Sequence, residues 1–296
     1  PKALPPDWQL INGYLIGPNS DLYGANIDGV DLGHANLNYV HSGKITGAPK
    51  ALPPDWQLIN GYLIGPTANL YRANLDDIDL SQANLNYVYS ESITGTPKAL
   101  PKDWLLINGY LIGPTARLYN VNIDGMDISH ANLTNISSRN ITGTPKALPQ
   151  DWQLINGYLI GPTTNLDGAN LDHANLDGAN LDHANLDKTS LYRVKSGRIK
   201  GTPKVLPPNW QVINGYIIGP TADLNRADLT GVDLTGVDLS NAEISDINLS
   251  NANLSGADLS NANLYNVSSG GIIGIPKALP KGWKLINGYL TDQYLH

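Results

Sequence analysis

The chain has 296 residues and is 41% hydrophobic, yet it contains no Phe, no Cys and a single Met, Met126. Leu, Ile, Val and Ala must supply nearly all of any core, and disulfides, thiolate metal sites and thiol nucleophiles are excluded. With 15% charged residues and a formal net charge of −7, a generic nucleic-acid or anionic-membrane binder is disfavoured, and no apolar run approaches the roughly 20 residues of a membrane-spanning helix. The sequence opens at Pro1 without Met or signal peptide. It reads as a processed form or a fragment, with any targeting segment outside it. Composition does not decide the compartment; the expectation leans to the extracellular space or cell surface.

The first predicted element is a β-hairpin. The segment 1–18 recurs unchanged at 49–66, and the copies part only at Asn19 and Thr67. Asn-Gly between apolar runs is the strongest short-range hairpin signal and favours a type I′ turn. In the second copy, pairing across Asn60-Gly61 sets Ile59 opposite Tyr62 and Leu58 opposite Leu63. One face then carries Trp56, Leu58 and Leu63; the other carries Gln57, Ile59, Tyr62 and Ile64. Both faces are apolar enough to need a packing partner. Pro53, Pro54 and Pro66 keep the element short.

Next come blocks with a period of five. The first runs Leu22, Ile27, Leu32, Leu37. In the second, Leu70, Leu75, Leu80 and Leu85 are each preceded, two residues earlier, by Ala68, Ala73, Ile78 or Ala83. The third runs Leu118, Ile123, Ile128, Leu133, the fourth extends from Leu166 to Leu191, and the fifth from Leu224 to Leu264. Every block closes alike, as in Val40-Ser42 then Ile45-Gly47, or Val267-Ser269 then Ile272-Gly274. The tryptophans measure the whole. The sequence intervals between Trp8, Trp56, Trp104, Trp152, Trp210 and Trp283 are 48, 48, 48, 58 and 73, and the two excesses over 48 are multiples of five. Insertions that preserve register identify the pentad as the structural unit. Period five suits neither a 3.6-residue helix nor a flat strand. It suits a chain that turns a corner every fifth residue, with the large residue on the axis, the small one filling the corner, and Asn or Asp bonding nearby backbone to support the turn.

The stretch Ala169-Asn170-Leu171-Asp172-His173-Ala174-Asn175-Leu176 closely resembles the Ala-(Asn/Asp)-Leu-x-x consensus of the pentapeptide-repeat family. The resemblance covers well over half the chain and implies an all-β fold: a right-handed quadrilateral β-helix with four pentads per coil, here interrupted by hairpins. The expected organisation is one continuous solenoid over 1–296, built of cassettes 1–48, 49–96, 97–144, 145–202 and 203–275 with a terminal hairpin half-cassette at 276–296. That makes about nine coils, or roughly 45 Å at 4.8 Å per coil. If each of the first three cassettes is two coils plus an eight-residue excursion, the first four hairpins share one face. The ten extra residues of the fourth cassette then place the fifth hairpin half a turn away. The twenty-five extra residues of the fifth cassette place the sixth a further quarter turn on.

The chemistry-bearing residues point away from catalysis. His173 and His183 lie among Asp167, Asp172, Asp177, Asp182 and Asp187, a composition that resembles a metal cluster. Ten residues are two sides of the square, however, so the imidazoles point apart and solvated decoration is expected rather than a metal site. No nucleophile elbow, phosphate loop or dinucleotide fingerprint occurs. No catalytic residue, cofactor or metal is expected. Lys188, Arg193, Lys195, Arg198, Lys200 and Lys204 form a run without acids, while Asp223 to Asp258 is acidic. Neutral surface drift is the plain reading, and complementary contact between molecules the sharper one. The hairpin aromatics Trp8, Tyr14, Trp56, Tyr62, Trp104, Tyr110, Trp152, Tyr158, Trp210, Tyr216, Trp283 and Tyr289 are candidates for interaction or for packing on the solenoid wall.

The expected function is a non-enzymatic structural solenoid, a modular rod or fibre subunit that self-associates end to end, since open coils can template another chain. Two alternatives remain open. Some members of the family mimic DNA and bind gyrase, but they use an uninterrupted acidic surface, which hairpins and a basic run break here. The other is a spacer that displays the hairpins to a protein or glycan. Neither nucleic-acid binding nor membrane insertion is expected.

Overall fold

The computed structural model describes residues 4–293; the first three residues of the first cassette and the last three of the terminal half-cassette lie outside it. The fold is all-β. Among the described residues there is no helix, and none long and apolar enough to cross a membrane. Contacts divide the chain into two compact units, Pro1–Gln150 and Asp151–His296.

Each unit carries three antiparallel hairpins. In the first unit β1 (Gln9–Ile11) pairs with β2 (Tyr14–Ile16), β3 (Gln57–Ile59) with β4 (Tyr62–Ile64), and β5 (Leu105–Ile107) with β6 (Tyr110–Ile112). There β7 (Arg117–Tyr119) and β8 (Ser137–Arg139) also pair, in parallel. In the second unit β9 (Gln153–Ile155) pairs with β10 (Tyr158–Ile160), β11 (Gln211–Ile213) with β12 (Tyr216–Ile218), and β13 (Trp283–Ile286) with β14 (Tyr289–Asp292). The register is the one the spacing predicts, with Ile59 opposite Tyr62 and Leu58 opposite Leu63. Asn60 and Gly61 both take positive φ, 46° and 79°, as a type I′ turn requires.

Between hairpins, each pentad closes on itself. The Ala25 amide donates to the Leu22 carbonyl at 3.1 Å, with Gly24 at φ 71°, the geometry of a type II turn. The large residue and the next small residue are thus joined across one corner, and both point inward. Leu22, Ile27 and Leu32 are at most 1% exposed, and Ala25 and Val30 at most 3%. The intervening Asn or Asp accepts from the backbone two residues on. The Asp28 amide donates to Asn26 Oδ1 at 3.0 Å and the Asp76 amide to Asn74 Oδ1 at 3.1 Å, the expected turn support.

The chain returns alongside itself once every four pentads. In the first unit parallel bridges join Asp21 to His41, Asn26 to Thr46 and Asp31 to Ala51, and the pattern repeats from Asn69 to Tyr89, Asn74 to Thr94 and Asp79 to Ala99. Across each hairpin the step is longer by eight, from His41 to Asn69, from Tyr89 to Arg117, and in the second unit from Lys195 to Asp223. The eight-residue excursion is therefore real. Within the first unit the hairpins enter before equivalent rungs of one ladder, which runs Asp21, His41, Asn69, Tyr89, Arg117, Ser137, so they share a side. In the second unit β9–β10 precedes Asn165, which is bridged to Asn185 and on to Val205. The pair β11–β12 instead precedes Asp223, bridged to Lys195 and on to Asn175, half a coil away. The inserted pentads move the hairpin in this unit as the arithmetic requires.

The hairpin β11–β12 separates two cores. Val212 and Ile217 pack with the preceding pentads, from Leu166 to Val194. Ile213, Tyr216 and Ile218 pack with the following ones, from Leu224 onward. Alternation along a strand sends neighbouring side chains to opposite faces, so one short hairpin serves both layers.

Candidate interaction surfaces

Three hydrogen bonds seat the hairpin β3–β4. The Leu63 amide donates to Ser42 Oγ at 2.9 Å, the Ile45 amide to the Gly61 carbonyl at 3.0 Å, and the Asn74 amide to the Tyr62 hydroxyl at 3.0 Å. The serine bond recurs at Ser90–Leu111, Ser196–Ile217 and Ser269–Leu290. The tyrosine bond recurs at Tyr14–Asn26, Tyr158–Asn170 and Tyr216–Asp228. Its position accounts for the ladder's course: Thr46 is not bridged onward to Asn74, because the Tyr62 hydroxyl occupies that amide. The closing Ser of each block, conspicuous in the sequence only as a small residue, is a docking acceptor.

The tryptophans pack inward on the hairpin's own backbone. A Cβ built on Gly65 would lie 2.5 Å from the Trp56 ring, and Gly17, Gly113, Gly161 and Gly219 meet Trp8, Trp104, Trp152 and Trp210 at 2.3–2.5 Å. Only glycine permits this approach. Trp56 and Trp104 are 9% and 7% exposed. Trp283 differs, because its strand partner is Asp292 rather than Gly, and its strands are four residues long. Tyr110 is half-buried in β6, whereas Tyr289 is 55% exposed. Five of the six tryptophans thus lie against a glycine of their own hairpin.

Identical sequence meets different surroundings at the first hairpin. Leu63 is fully buried and Leu58 half-buried, whereas their counterparts Leu15 and Leu10 are 51% and 61% exposed. Ile16 stays buried at 1%, since the following pentads cover its face. At β13–β14 the opposite face is bare: Leu290 is 7% exposed but Ile286 is 50%.

The basic run is largely neutralised within the second unit. Lys188 pairs with Asp187 at 3.3 Å, Arg193 with Glu243 at 2.9 Å, Lys200 with Asp151 at 2.8 Å, and Arg198 with Asp177. The Arg198 guanidinium holds the Asp177 carboxyl below its ordinary range, and the Lys200 ammonium does the same to Asp151. Lys195 and Lys204 are the two cations of the run outside these four pairs. His183 Nδ1 lies 3.0 Å from its neighbour Asp182, and His173 meets Tyr192 edge-on at 5.4 Å. Among the described residues no group of three or more His, Asp or Glu side chains is placed to hold a metal ion. An open groove of about 610 Å³ runs between β5–β6 and the strap Gly95 to Leu100. Lys98 is the one charged residue of its lining, so no acid–base pair faces it.

One surface escaped the linear reading. In the first unit the tyrosines outside the hairpins and all three arginines lie on the Asp21–Ser137 ladder or within three residues of one of its rungs. Folding the sequence at the steps of the ladder gathers them; read in a line, they look scattered. Tyr89 lies on this side. Burial, followed by its 2.6 Å bond to Glu91, pushes its hydroxyl up to about 12.

Comparison with protein families agrees with the register. Residues 164–195, 222–246 and 242–268 match the family described as Pentapeptide repeats, in eight copies; these are the blocks where pentads run longest between hairpins. No curated protein sequence matches the chain. Among solved structures, that of HetL aligns over 88% of this chain and 87% of its own at 22% identity, with a TM-score of 0.14. HetL is a pentapeptide repeat protein involved in heterocyst differentiation regulation from the cyanobacterium Nostoc sp. strain PCC 7120. On the matched blocks and the five-residue closure of their turns, residues 164–195 and 222–268 of this chain are pentapeptide repeats.

Proposed function

We propose that the protein is a non-enzymatic structural solenoid, a right-handed quadrilateral β-helix continuous over its cassettes, which associates end to end through its outermost hairpins. The observation that carries this reading is the contrast between Leu63, fully buried, and Leu15, 51% exposed in the same local sequence. Internal hairpins use both faces, so the Leu10–Leu15 face is suited to packing against a further layer, which a second molecule supplies in this reading. The exposed Ile286 and Tyr289 of β13–β14 offer an apolar counterpart on a second molecule. The packed tryptophans weigh against a role as displayed ligand-binding aromatics, and the hairpins interrupt the long acidic surface that a DNA mimic uses.

Electron microscopy and sedimentation velocity over a hundredfold concentration range test the proposal. Particles that lengthen with concentration, and that shorten to one molecule in a Leu10→Asp/Leu15→Asp variant, are the expected outcome. Uniform short particles at every concentration would overturn it.

A further inference from the structure

The side of the first unit that gathers tyrosine and arginine differs from the rest of the molecule in how its cations are held. Arg117 lies 4.8 Å from the Tyr39 ring centre, Arg139 4.8 Å from Tyr119, Arg72 4.9 Å from Tyr71, and Lys44 5.5 Å from Tyr23. Among the described residues none of these four cations forms an ion pair with a carboxylate, unlike the arginines of the basic run. The acids on this side are engaged elsewhere, Asp21 with His41 at 3.0 Å and Glu91 with the Tyr89 hydroxyl at 2.6 Å. A guanidinium laid over an aromatic face keeps its N–H edge directed outward, and that edge matches a carboxylate with two parallel bonds. Tyr23 and Tyr87 add 54% and 43% exposed rings to the same strip.

We infer that this strip binds a linear acidic polysaccharide of the polyuronate type. The bridged ladder places successive rungs about 4.8 Å apart, so its six rungs span about 24 Å. The four cationic groups lie over Tyr23, Tyr39, Tyr71 and Tyr119, each two residues from a rung, at Asp21, His41, Asn69 and Arg117, at most one per coil. A polyuronate carries one carboxylate per sugar and presents the apolar face of each ring to aromatic edges, which matches a sparse row of cations set among tyrosines. Duplex nucleic acid, with one charge per about 1.7 Å, is far denser than this row. The inference stands apart from end-to-end association, because it uses the side of one unit and no terminal hairpin.

The test is affinity electrophoresis of the full chain in gels containing polygalacturonate, with neutral dextran and single-stranded DNA gels beside them. Retardation by polygalacturonate alone, abolished by added salt, is expected. The triple variant Arg72→Gln/Arg117→Gln/Arg139→Gln should weaken it at least tenfold with an unchanged melting temperature. The variant Lys98→Gln/Lys102→Gln/Lys146→Gln removes the same charge elsewhere in the unit and should leave it intact. Absence of retardation for the unmodified chain, equal loss in both variants, or equal retardation by single-stranded DNA would each overturn the inference.

Discussion

Replacing Leu63 by Ala in β4, and separately Leu15 by Ala in β2, uses the chain as its own control. The two residues share a local sequence that is identical over 1–18 and 49–66, so propensity, turn type and side-chain entropy cancel. They differ in what covers them: Leu63 is 0% exposed beneath the preceding pentads and Leu15 is 51% exposed. Truncating a fully buried leucine loses its transfer free energy and leaves a cavity, about 3–5 kcal/mol. At half exposure there is no closed cavity, and about half the transfer value goes, roughly 1 kcal/mol. The expected difference is therefore about 2–4 kcal/mol. Urea unfolding of the full chain reads it, followed by tryptophan fluorescence and by circular dichroism to establish whether the transition is cooperative. Equal destabilisation at low protein concentration would refute the partition of cores by hairpins. A Leu15→Ala cost that grows with concentration would show a second molecule covering that face.

Three further outcomes follow from particular contacts. Gly113→Ala places a methyl group 2.5 Å from the Trp104 ring; displacement of the ring should cost about 1–3 kcal/mol and shift its fluorescence, and a neutral result would mean the stack is loose. Ser20 Oγ is buried without a hydrogen-bond partner, while Ala68, Ala116 and Ala222 stand in its place in other cassettes. Ser20→Ala should accordingly raise stability by about 1 kcal/mol in thermal unfolding, and a loss of stability would contradict this. Asp258 is lowered to about 2 by the Ser260 hydroxyl and amide and then by Lys277, 3.0 Å away. Its folded value lies below the unfolded one of about 3.9, so its contribution is complete above pH 4 and is lost as pH falls through 2. Asp258→Asn should flatten the stability profile in that window, and an unchanged profile would remove the assignment.

Much of this architecture could be read from the sequence because its rules are local. The pentad turn joins Leu22 to Ala25 within four residues, and Asn-Gly fixes the register of β3–β4 by itself. The eight-residue excursion followed from arithmetic on the tryptophans. What stayed hidden depends on residues brought together only by coiling. Arg193 finds Glu243 fifty residues on, and Lys200 finds Asp151 forty-nine residues back, so an apparent basic run in the sequence is a set of ion pairs in space. The serine that closes each block receives a hairpin amide twenty-one positions later, a role that no local pattern specifies. The Tyr–Arg strip emerges only once the two step lengths of the ladder are known.

The hairpins also set how the first unit responds to load. Within a cassette three rungs join neighbouring coils, at Asp21, Asn26 and Asp31, but across a hairpin a single rung continues, from His41 to Asn69 and from Tyr89 to Arg117. A bend that opens the side away from this ladder stretches packing contacts and the separate bonds that seat the hairpin, such as Gln57 Nε2 to the Gln82 carbonyl and the Asn74 amide to the Tyr62 hydroxyl, whereas a bend that opens the ladder must break the paired backbone hydrogen bonds that run on from coil to coil. The unit therefore has one stiff spine and a compliant back, and force applied along it concentrates at the hairpin layers, once in every cassette.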